Sequence, residues 1–597
     1  MENQRLILFA ALMFVVFLLW QNWLEFQAKK HPPPAPTVAA APAGSAAPAG
    51  VSAPVPGQDI PTGAPVAGAL PGSQALGGGQ RVHVTTDLFE IEIDTVGGDL
   101  RQAGLRTYPD SVQRPDQPFL LLKDTGPDLF IAQSGLVASN NGPAPNHYAT
   151  FIPERAEYRL ADGQDTLEVR LNWSDPSGVK AVKTYTFHRG SFLVDVNQRV
   201  ENGSLEPWQG GQYRQFQRTP PKAVSSYFGS GVVTYTGAVV SSPEQRYEKI
   251  SFDQIAKQEL NQTVKDGWVA MIQHYFLGAW VPNPGEAEEF YTKAVGSNRY
   301  LVGMRGAVQT VPPGATGDFR TRLYVGPKLT DVLSKIAPNL QLTVDYGILT
   351  IIAEPLFWLL KAIHWVVGNW GWAIIFLTIL IKLAFYKLSE TSYRSMANMR
   401  RLAPELSRLK ELYGDDKQKM NQAMMDMYKK EKVNPLGGCL PIVVQIPVFI
   451  ALYWVLVESV QLRQAPFMLW IKDMSIPDPY YVLPLIMGVT MFVQQKLSPA
   501  PPDPVQAKVM MALPVVFTFM FLWFPAGLVL YWVVNNILSI AQQWVITKRV
   551  ESGADAAALK AKEKSGVGSV VGEQAKKLLT LAKQALPDQK NSGNRKK

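Results

Sequence analysis

Residues Asn369 to Tyr386 read NWGWAIIFLTILIKLAFY, and this run constrains the chain more than any other. As a helix rising roughly 1.5 Å per residue, it crosses much of a bilayer. It also carries one full positive charge, Lys382, four residues after Thr378. That spacing puts both side chains on one helix face. A cation in a membrane helix costs roughly 2.5–3.5 kcal/mol on insertion scales, so it needs a reason. Four more apolar segments follow, about Leu440–Val457, Tyr480–Val493, Val509–Phe524 and Gly527–Ile546, and none holds a carboxylate. The lysine therefore has no acidic partner within the membrane helices. It must be solvated by water or by neutral polar groups.

Two readings of Lys382 stand side by side. In the first it snorkels: it lies five residues before Lys387, and its stem reaches the headgroups. In the second it faces a shared polar groove. Gln445 sits in CLPIVVQIPVF, and Asn535, Ser539 and Gln542 lie three to four apart on the last segment, with Trp532, Asn536 and Gln543 beside them. Polar groups on three separate membrane helices are explained more economically by one wet cavity than by three lipid-facing penalties.

Charge is unevenly spread. Residues 387–439 hold 11 Lys/Arg against 7 Asp/Glu, net +4; residues 548–597 hold 12 against 5, net +7; residues 81–335 hold 26 against 28, net −2. The basic balance thus belongs to two short segments, which by the Lys/Arg bias lie in the cytoplasm. One cysteine, Cys439, excludes an intrachain disulfide.

In chain order, residues 1–24 read as an uncleaved transmembrane anchor, with a cleavable signal peptide as the alternative. Residues 25–80 are a linker; of the 49 residues from 32 to 80, 33 are Pro, Gly or Ala, which cannot bury a core. Residues 81–335 alternate apolar and polar in short runs such as TLEVRLNW and FLVDVNQRV, the pattern of a large all-β sandwich. Its four histidines, His83, His147, His188 and His274, lack metal-ligand spacing and read as structural or surface residues. Residues 336–368 are apolar but contain Asp345, Glu354, Pro355, Lys361 and His364. They fit an interfacial amphipathic helix, broken or restarted at Pro355, better than a full span.

Residues 369–388 form transmembrane helix 2, residues 389–439 a helical hairpin outside the membrane, residues 440–547 transmembrane helices 3–6, and residues 548–597 a basic tail. The hairpin's first helix runs from Thr391 to Tyr413 with a kink at Pro404; Gly414 stops it, Asp415 caps the second, which ends near Lys432. Met396, Met399, Leu402, Leu406, Leu409 and Leu412 form one apolar stripe, and Met420, Met424 and Met427 another. They pack the two helices together, or offer an adaptable surface to varied apolar sequences, flanked by Arg400 and Arg401.

The runs NWGWAIIFLTILIK, SYRSMANMRRLAPEL, GDDKQKMNQAMMDMYKKEKVNPLGGCLPIVVQIPVF and FLWFPAGLVLYWVVNN resemble the core of the YidC membrane protein insertases, from Asn369 to Arg549. The layout is similar to the Gram-negative form of that family: anchor, linker, periplasmic β domain, interfacial helix and five core spans. The resemblance implies a galactose-mutarotase-like sandwich. It implies a positive groove residue, often Arg, at Lys382; charge is kept, while the bidentate fork of Arg is lost. It also places Thr378, Gln445, Pro447, Phe449, Trp523, Tyr531 and Trp532 at or beside positions that line the groove or contact the client. With Asn535 and Ser539 these complete the candidate groove.

The implied function is an insertase and chaperone that moves nascent membrane proteins from the cytoplasm into the bacterial inner membrane, alone or with the Sec translocon. Ribosomes are recruited by the basic tail and hairpin, both termini are cytoplasmic, and no cofactor, metal or small-molecule substrate is expected. An intramembrane enzyme has nothing to build on, since the core spans hold no His, Asp or Glu and only the boundary Cys439. The alternative, a small-solute transporter, lacks an internal repeat and an ionisable relay beyond Lys382.

Overall fold

A computed structural model describes residues 76, 78–139, 142–221, 234–296, 298–413, 416–431, 440–498 and 504–552. The expected anchor, nearly all of the linker, and the tail beyond Ser552 lie outside the described residues.

Two sheets, of eleven and nine strands, form the β-sandwich between Arg81 and Pro327. Nearly every pairing is antiparallel; Arg81–Thr85 runs parallel to Glu157–Arg159 at one edge. In the nine-stranded sheet, Leu193–Asn202 lies between Val179–His188 and Thr316–Pro327, with Val196 opposite Tyr185 on one side and Thr321 on the other. Alternation is clean in Val179–His188: Val179, Ala181, Lys183, Tyr185 and Phe187 point inward, as a period of two requires. The one charge in that row, Lys183, is fully buried. Its ammonium donates to the carbonyls of Gly97 (2.8 Å), Gly98 (3.3 Å) and Ser134 (2.7 Å). Burial still pulls it down to about 8, the nearby Asp99 opposing. Gly97 and Gly98 adopt φ of +82° and +59°, which turns their carbonyls toward the lysine.

Eleven helices are described. Helices α1 (Phe252–Lys257) and α2 (Thr330–Ile336) belong to the sandwich and its exit. Then follow α3 (Thr350–Val367), α4 (Trp370–Ala384), α5 (Tyr386–Arg401), α6 (Ala403–Tyr413), α7 (Lys417–Lys430), α8 (Leu440–Glu458), α9 (Val482–Leu497), α10 (Pro504–Phe521) and α11 (Ala526–Glu551). Helices α3, α4, α8, α9 and α11 close around one apolar core that includes Leu360, Leu377, Leu452, Met487 and Val529.

Several expectations shift. Pro355 does not break α3: it sits within the second turn and removes only the bond to the Ile351 carbonyl, while Ala353, Phe357 and Leu360 bury the inner face. The opposite face, with Ile351, Trp358, Trp365 and Val366, is exposed and apolar. Helices α4 and α5 meet at a bend of 68°. The first helix of the hairpin, expected to kink at Pro404, divides instead into α5 and α6 at Leu402, so its stripe from Met396 to Leu412 is shared between two helices. Asp416 caps α7 by accepting from the Lys419 amide, while Gly414 and Asp415, the expected stop and cap, lie outside the described residues. Helix α11 continues to Glu551, so Lys548 and Arg549 belong to it rather than to the tail. By length and composition, two described helical stretches, Gly347–Val367 and Ala526–Val550, can cross a membrane, and a third if the bent pair is one span; Val444–Glu458, Val482–Leu497 and Ala507–Phe521 are shorter apolar helices.

The sandwich rests on the helical core through a specific contact. Lys328 at the exit of the last strand pairs with Glu458 at the end of α8, at 3.5 Å with both side chains buried. His274 donates from Nε2 to the Val457 carbonyl at 2.9 Å. In the loop after α8, Arg463 and Gln464 donate to the carbonyls of Asp110 and Pro109 at 3.0 and 2.9 Å. The Arg463 guanidinium also lies over the rings of Phe119 and Phe276. Lys249 pairs with Asp345 on the connecting segment.

Removing one member of a buried ion pair strands the other, at a cost of roughly 3–5 kcal/mol, whereas replacing both with apolar residues is far milder. Lys328→Ala or Glu458→Ala is therefore expected to broaden distances between spin labels on the sandwich and on α9, and Lys328→Met with Glu458→Leu to restore them. Equal broadening in single and double variants would refute a docking role for the pair. The dock also depends on pH. Burial, with a smaller contribution from Lys328, pushes His274 down to about 4 when docked, against its ordinary 6.5 when released. The docked state binds fewer protons between those values, so docking is full above about 6.5 and weakens as pH falls toward about 4. The same label distances are expected to broaden from pH 7 to 5, and His274→Gln, which keeps an N–H donor without titrating, to abolish that change.

Candidate functional site

The 68° bend brings Lys382 to within a turn of the end of α4. The terminal bond of the helix is shared, because the Phe385 amide reaches both Ile381 and Leu383. The Lys382 side chain turns toward α11, where its ammonium donates to Ser539 Oγ at 2.8 Å. Ser539 is buried, and its own hydroxyl donates to the Asn535 carbonyl one turn earlier, at 2.6 Å. Asn535 Oδ1 accepts from Gln445 Nε2 of α8 at 2.8 Å. Three helices are thus tied by side chains that in sequence are far apart. A shallow, partly open cleft lies beside them, lined by Ile381, Lys382, Phe385, Leu388, Ser389 and Gln445.

An aromatic floor lies next to this cleft. Phe449 stacks on Tyr531 at 5.9 Å and meets Trp532 edge-on at 4.6 Å; Trp532 in turn contacts Phe521 at 4.9 Å. Such edge-to-face and offset contacts are the favoured geometry of aromatic pairs. Pro447, inside α8 two residues beyond Gln445, removes one backbone hydrogen bond near the cleft.

Of the expected groove residues, the structure brings together Lys382, Gln445, Phe449, Tyr531, Trp532, Asn535 and Ser539. Thr378 is buried in the helix core and spends its hydroxyl on the Ile374 carbonyl at 2.7 Å. Trp523 precedes the first turn of α11 and packs on Phe519 at 4.8 Å. Thirteen residues separate Ala526 from Ser539, roughly 20 Å of helix axis, so Trp523 sits at the opposite end. Asn536 and Gln543 face α9, where they donate to Thr490 Oγ1 and the Leu497 carbonyl at 3.2 and 3.0 Å. They join helices rather than line the cleft. Met396, Met399, Arg400 and Arg401 lie on α5 and Met420, Met424 and Met427 on α7. The five methionines are half-buried and the two arginines exposed.

Sequence reasoning missed Tyr393 of α5, which packs beside Ala397 against Ile546 and Val550 of α11. It also missed Glu458, one residue past the expected end of its span, and His274 as a docking group. The only signal for Glu458 was a carboxylate bordering an otherwise uncharged run. Among the described residues, no group of three or more His, Cys, Asp or Glu is placed to hold a metal.

Residues 81–359 match the family model described as the YidC periplasmic domain, and residues 362–553 that of the 60Kd inner membrane protein. The protein named membrane protein insertase YidC in Thioalkalivibrio sulfidiphilus is 53% identical over 564 residues, covering 92% of this chain and 99% of that one. Proteins of the same name in Nitrosococcus oceani and Methylococcus capsulatus are each 52% identical, with the same two coverages. Among solved structures, an active YidC insertase with its first transmembrane domain resolved aligns at 17% identity and a TM-score of 0.34, covering 76% of this chain and 90% of that one.

The two halves of the cleft are expected to differ in what they contribute to stability. Trp532→Ala removes a ring that joins Phe449 to Phe521 and is expected to cost about 3 kcal/mol. Gln445→Ala, at the open cleft where water replaces the amide, is expected to cost less than about 1 kcal/mol. Thermal unfolding of each variant in one detergent checks the ordering; equal losses would contradict it.

Proposed function

The chain belongs to the YidC family of membrane protein insertases, and from that membership we propose how its cleft handles a client. The protein is an insertase, not an enzyme: it moves nascent membrane proteins into the inner membrane, and no covalent bond changes. In the proposed mechanism a hydrophilic segment of the client enters the cleft from the cytoplasm, and Lys382 attracts its acidic residues. The observation that carries this reading is the economy of the lysine's contacts. An ammonium has three N–H donors, and among the described residues the one hydrogen-bond partner of Lys382 is Ser539. Two donors remain for a carboxylate or for water.

The aromatic floor of Phe449, Tyr531 and Trp532 suits the client's apolar flank, and Pro447 and Trp523 extend the path along the bundle. The short helices α9 and α10 thin the bilayer around them, which shortens the distance a polar segment travels. In this topology the sandwich is periplasmic, the anchor and the five core spans cross the membrane, and α3 lies along the interface with Trp358 and Trp365 in lipid. Helices α5–α7, Arg400 and Arg401 among them, face the cytoplasm with the basic tail and meet ribosomal RNA, a dense polyanion bound through counterion release. The methionines of α5 and α7 offer clients an adaptable apolar surface. The protein acts alone or with the Sec translocon.

The test is a graded set of clients with zero to three acidic residues in the translocated segment, inserted in parallel into liposomes. Lys382→Arg is expected to work, because charge and reach are kept. Lys382→Ala is expected to lower insertion of the most acidic client about tenfold, equivalent to ~1.4 kcal/mol, and that of the neutral client much less. Lys382→Glu is expected to be worse still for acidic clients, since like charges meet where screening is weak. Equal efficiency of Lys and Ala across the set would overturn the role of the charge.

A further inference from the structure

The loop between α8 and α9 breaks two rules at one residue. Leu469 sits at φ +54°, in the left-handed region that favours glycine or asparagine, and its side chain is 74% exposed. A leucine there gains nothing from the backbone and nothing from the core. Neighbouring Met468 is exposed as well, and so are Tyr480 and Tyr481, the latter at φ +56°. Backbone strain joined to exposed apolar surface marks a place that meets something outside the fold.

The shape of the loop is fixed by hydrogen bonds. The Phe467 amide donates to the Ile471 carbonyl at 3.0 Å and the Ile471 amide to that of Met468 at 3.1 Å, which closes a turn with Leu469 at its tip. Asn369 seats the turn on the start of α4, donating from Nδ2 to the Pro466 and Phe467 carbonyls at 3.1 and 3.0 Å. The buried Asp478 ties it to α9. Its carboxylate accepts from Trp470 Nε1 at 2.9 Å and from the amides of Tyr480 and Leu483 at 3.0 and 2.8 Å.

What covers the turn follows from the surfaces it continues. Trp372, Phe376 and Leu380 recur every four residues on one face of α4, exposed and apolar, and Trp372 packs edge-on against Phe467 at 5.9 Å. Tyr481, Leu485 and Val489 make the same kind of stripe on α9. In the proposed topology both stripes face lipid, and the turn joins them at the end that carries the sandwich. Its charges suit a bilayer surface: Asp473 and Asp478 are buried and Lys472 is exposed, so the charge presented from Pro466 to Tyr481 is positive, the complement of lipid phosphate.

We propose that the turn around Leu469 is a lipid anchor in the leaflet on the sandwich side. Met468 and Leu469 enter the acyl chains, Trp470, Tyr480 and Tyr481 lie at headgroup level, and Lys472 meets phosphate. The anchor holds that leaflet at the start of α9, whose 16 residues cover only roughly 24 Å. This inference rests on the reading of α4 and α9 as membrane spans.

The test uses the full chain with Cys439→Ser, carrying a nitroxide at Met468→Cys or, as a reference in mid-helix, at Phe376→Cys. The protein is placed in vesicles of phosphatidylethanolamine and phosphatidylglycerol. Collisions of the label with oxygen, which concentrates among acyl chains, and with a water-soluble nickel chelate give its depth. The label at 468 is expected about 5–10 Å below the phosphates, the depth of interfacial apolar groups. Leu469→Asn, which suits the left-handed backbone, is expected to move that label out to the headgroups without lowering the melting temperature in detergent, and Leu469→Met to leave it in place. Lys472→Gln is expected to remove any dependence of depth on the phosphatidylglycerol fraction. A label at 468 open to the chelate would overturn the proposal. So would one shielded from both probes, as under an apolar protein segment or a second copy, or one whose depth Leu469→Asn leaves unchanged. A lowered melting temperature would assign Leu469 to the protein's own packing and overturn it too. If the label at 376 is also open to the chelate, the reading of α4 as a span fails and takes the anchor with it. If 376 lies deep in lipid and 468 does not, only the anchor fails.

Discussion

A cation inside a bundle of apolar helices must find solvation or the bundle does not form. Here the solvation of Lys382 is supplied by neutral groups: one bond to Ser539, itself backed by Asn535 and, through it, Gln445. A carboxylate partner would neutralise the charge and leave nothing to offer a ligand. A hydroxyl leaves the charge whole. The cost of keeping it is borne by a network spanning α4, α8 and α11, and the aromatic contacts of Phe449, Tyr531 and Trp532 hold those last two helices at the spacing the network needs.

The same trade is made differently at the other end of the bundle. Lys328 and Glu458 are buried together and do neutralise each other. That pair, with His274 and Arg463, gives the sandwich a defined seat. The contrast is between a charge kept available and a charge consumed in structure.

Much of this was legible in the sequence, for identifiable reasons. The helices of the core follow from apolar runs bounded by Pro, Gly and charge, and observed limits such as Leu440–Glu458 and Val482–Leu497 lie within a few residues of those expected. The sandwich follows from period-two alternation. The link from Lys382 to Ser539 and Asn535 was approached through spacing, since side chains three to four apart share a face. What could not be read was pairing across elements. Nothing local joins Lys328 to Glu458, 130 residues apart, or His274 to Val457. Tyr393 lies in an amphipathic helix, and its packing against Ile546 and Val550 of α11 follows from the 68° bend, which no periodicity encodes. Asn536 and Gln543 neighbour the groove residues in sequence, yet a helix turns 100° per residue and delivers them to α9.

Helix α8 bears on both ends at once. Gln445 stands at the cleft and Glu458 at the dock, thirteen residues or roughly 20 Å apart on one helix. From Pro447 onward the helix is unbroken to Glu458, so over that length it acts as a spar. A rotation of about 3° at one end carries the other about 1 Å, by simple leverage over that span. Displacements of that size are enough to spoil an ion pair already at 3.5 Å. The length of a single helix therefore sets how far the cleft can widen before the sandwich loses its footing.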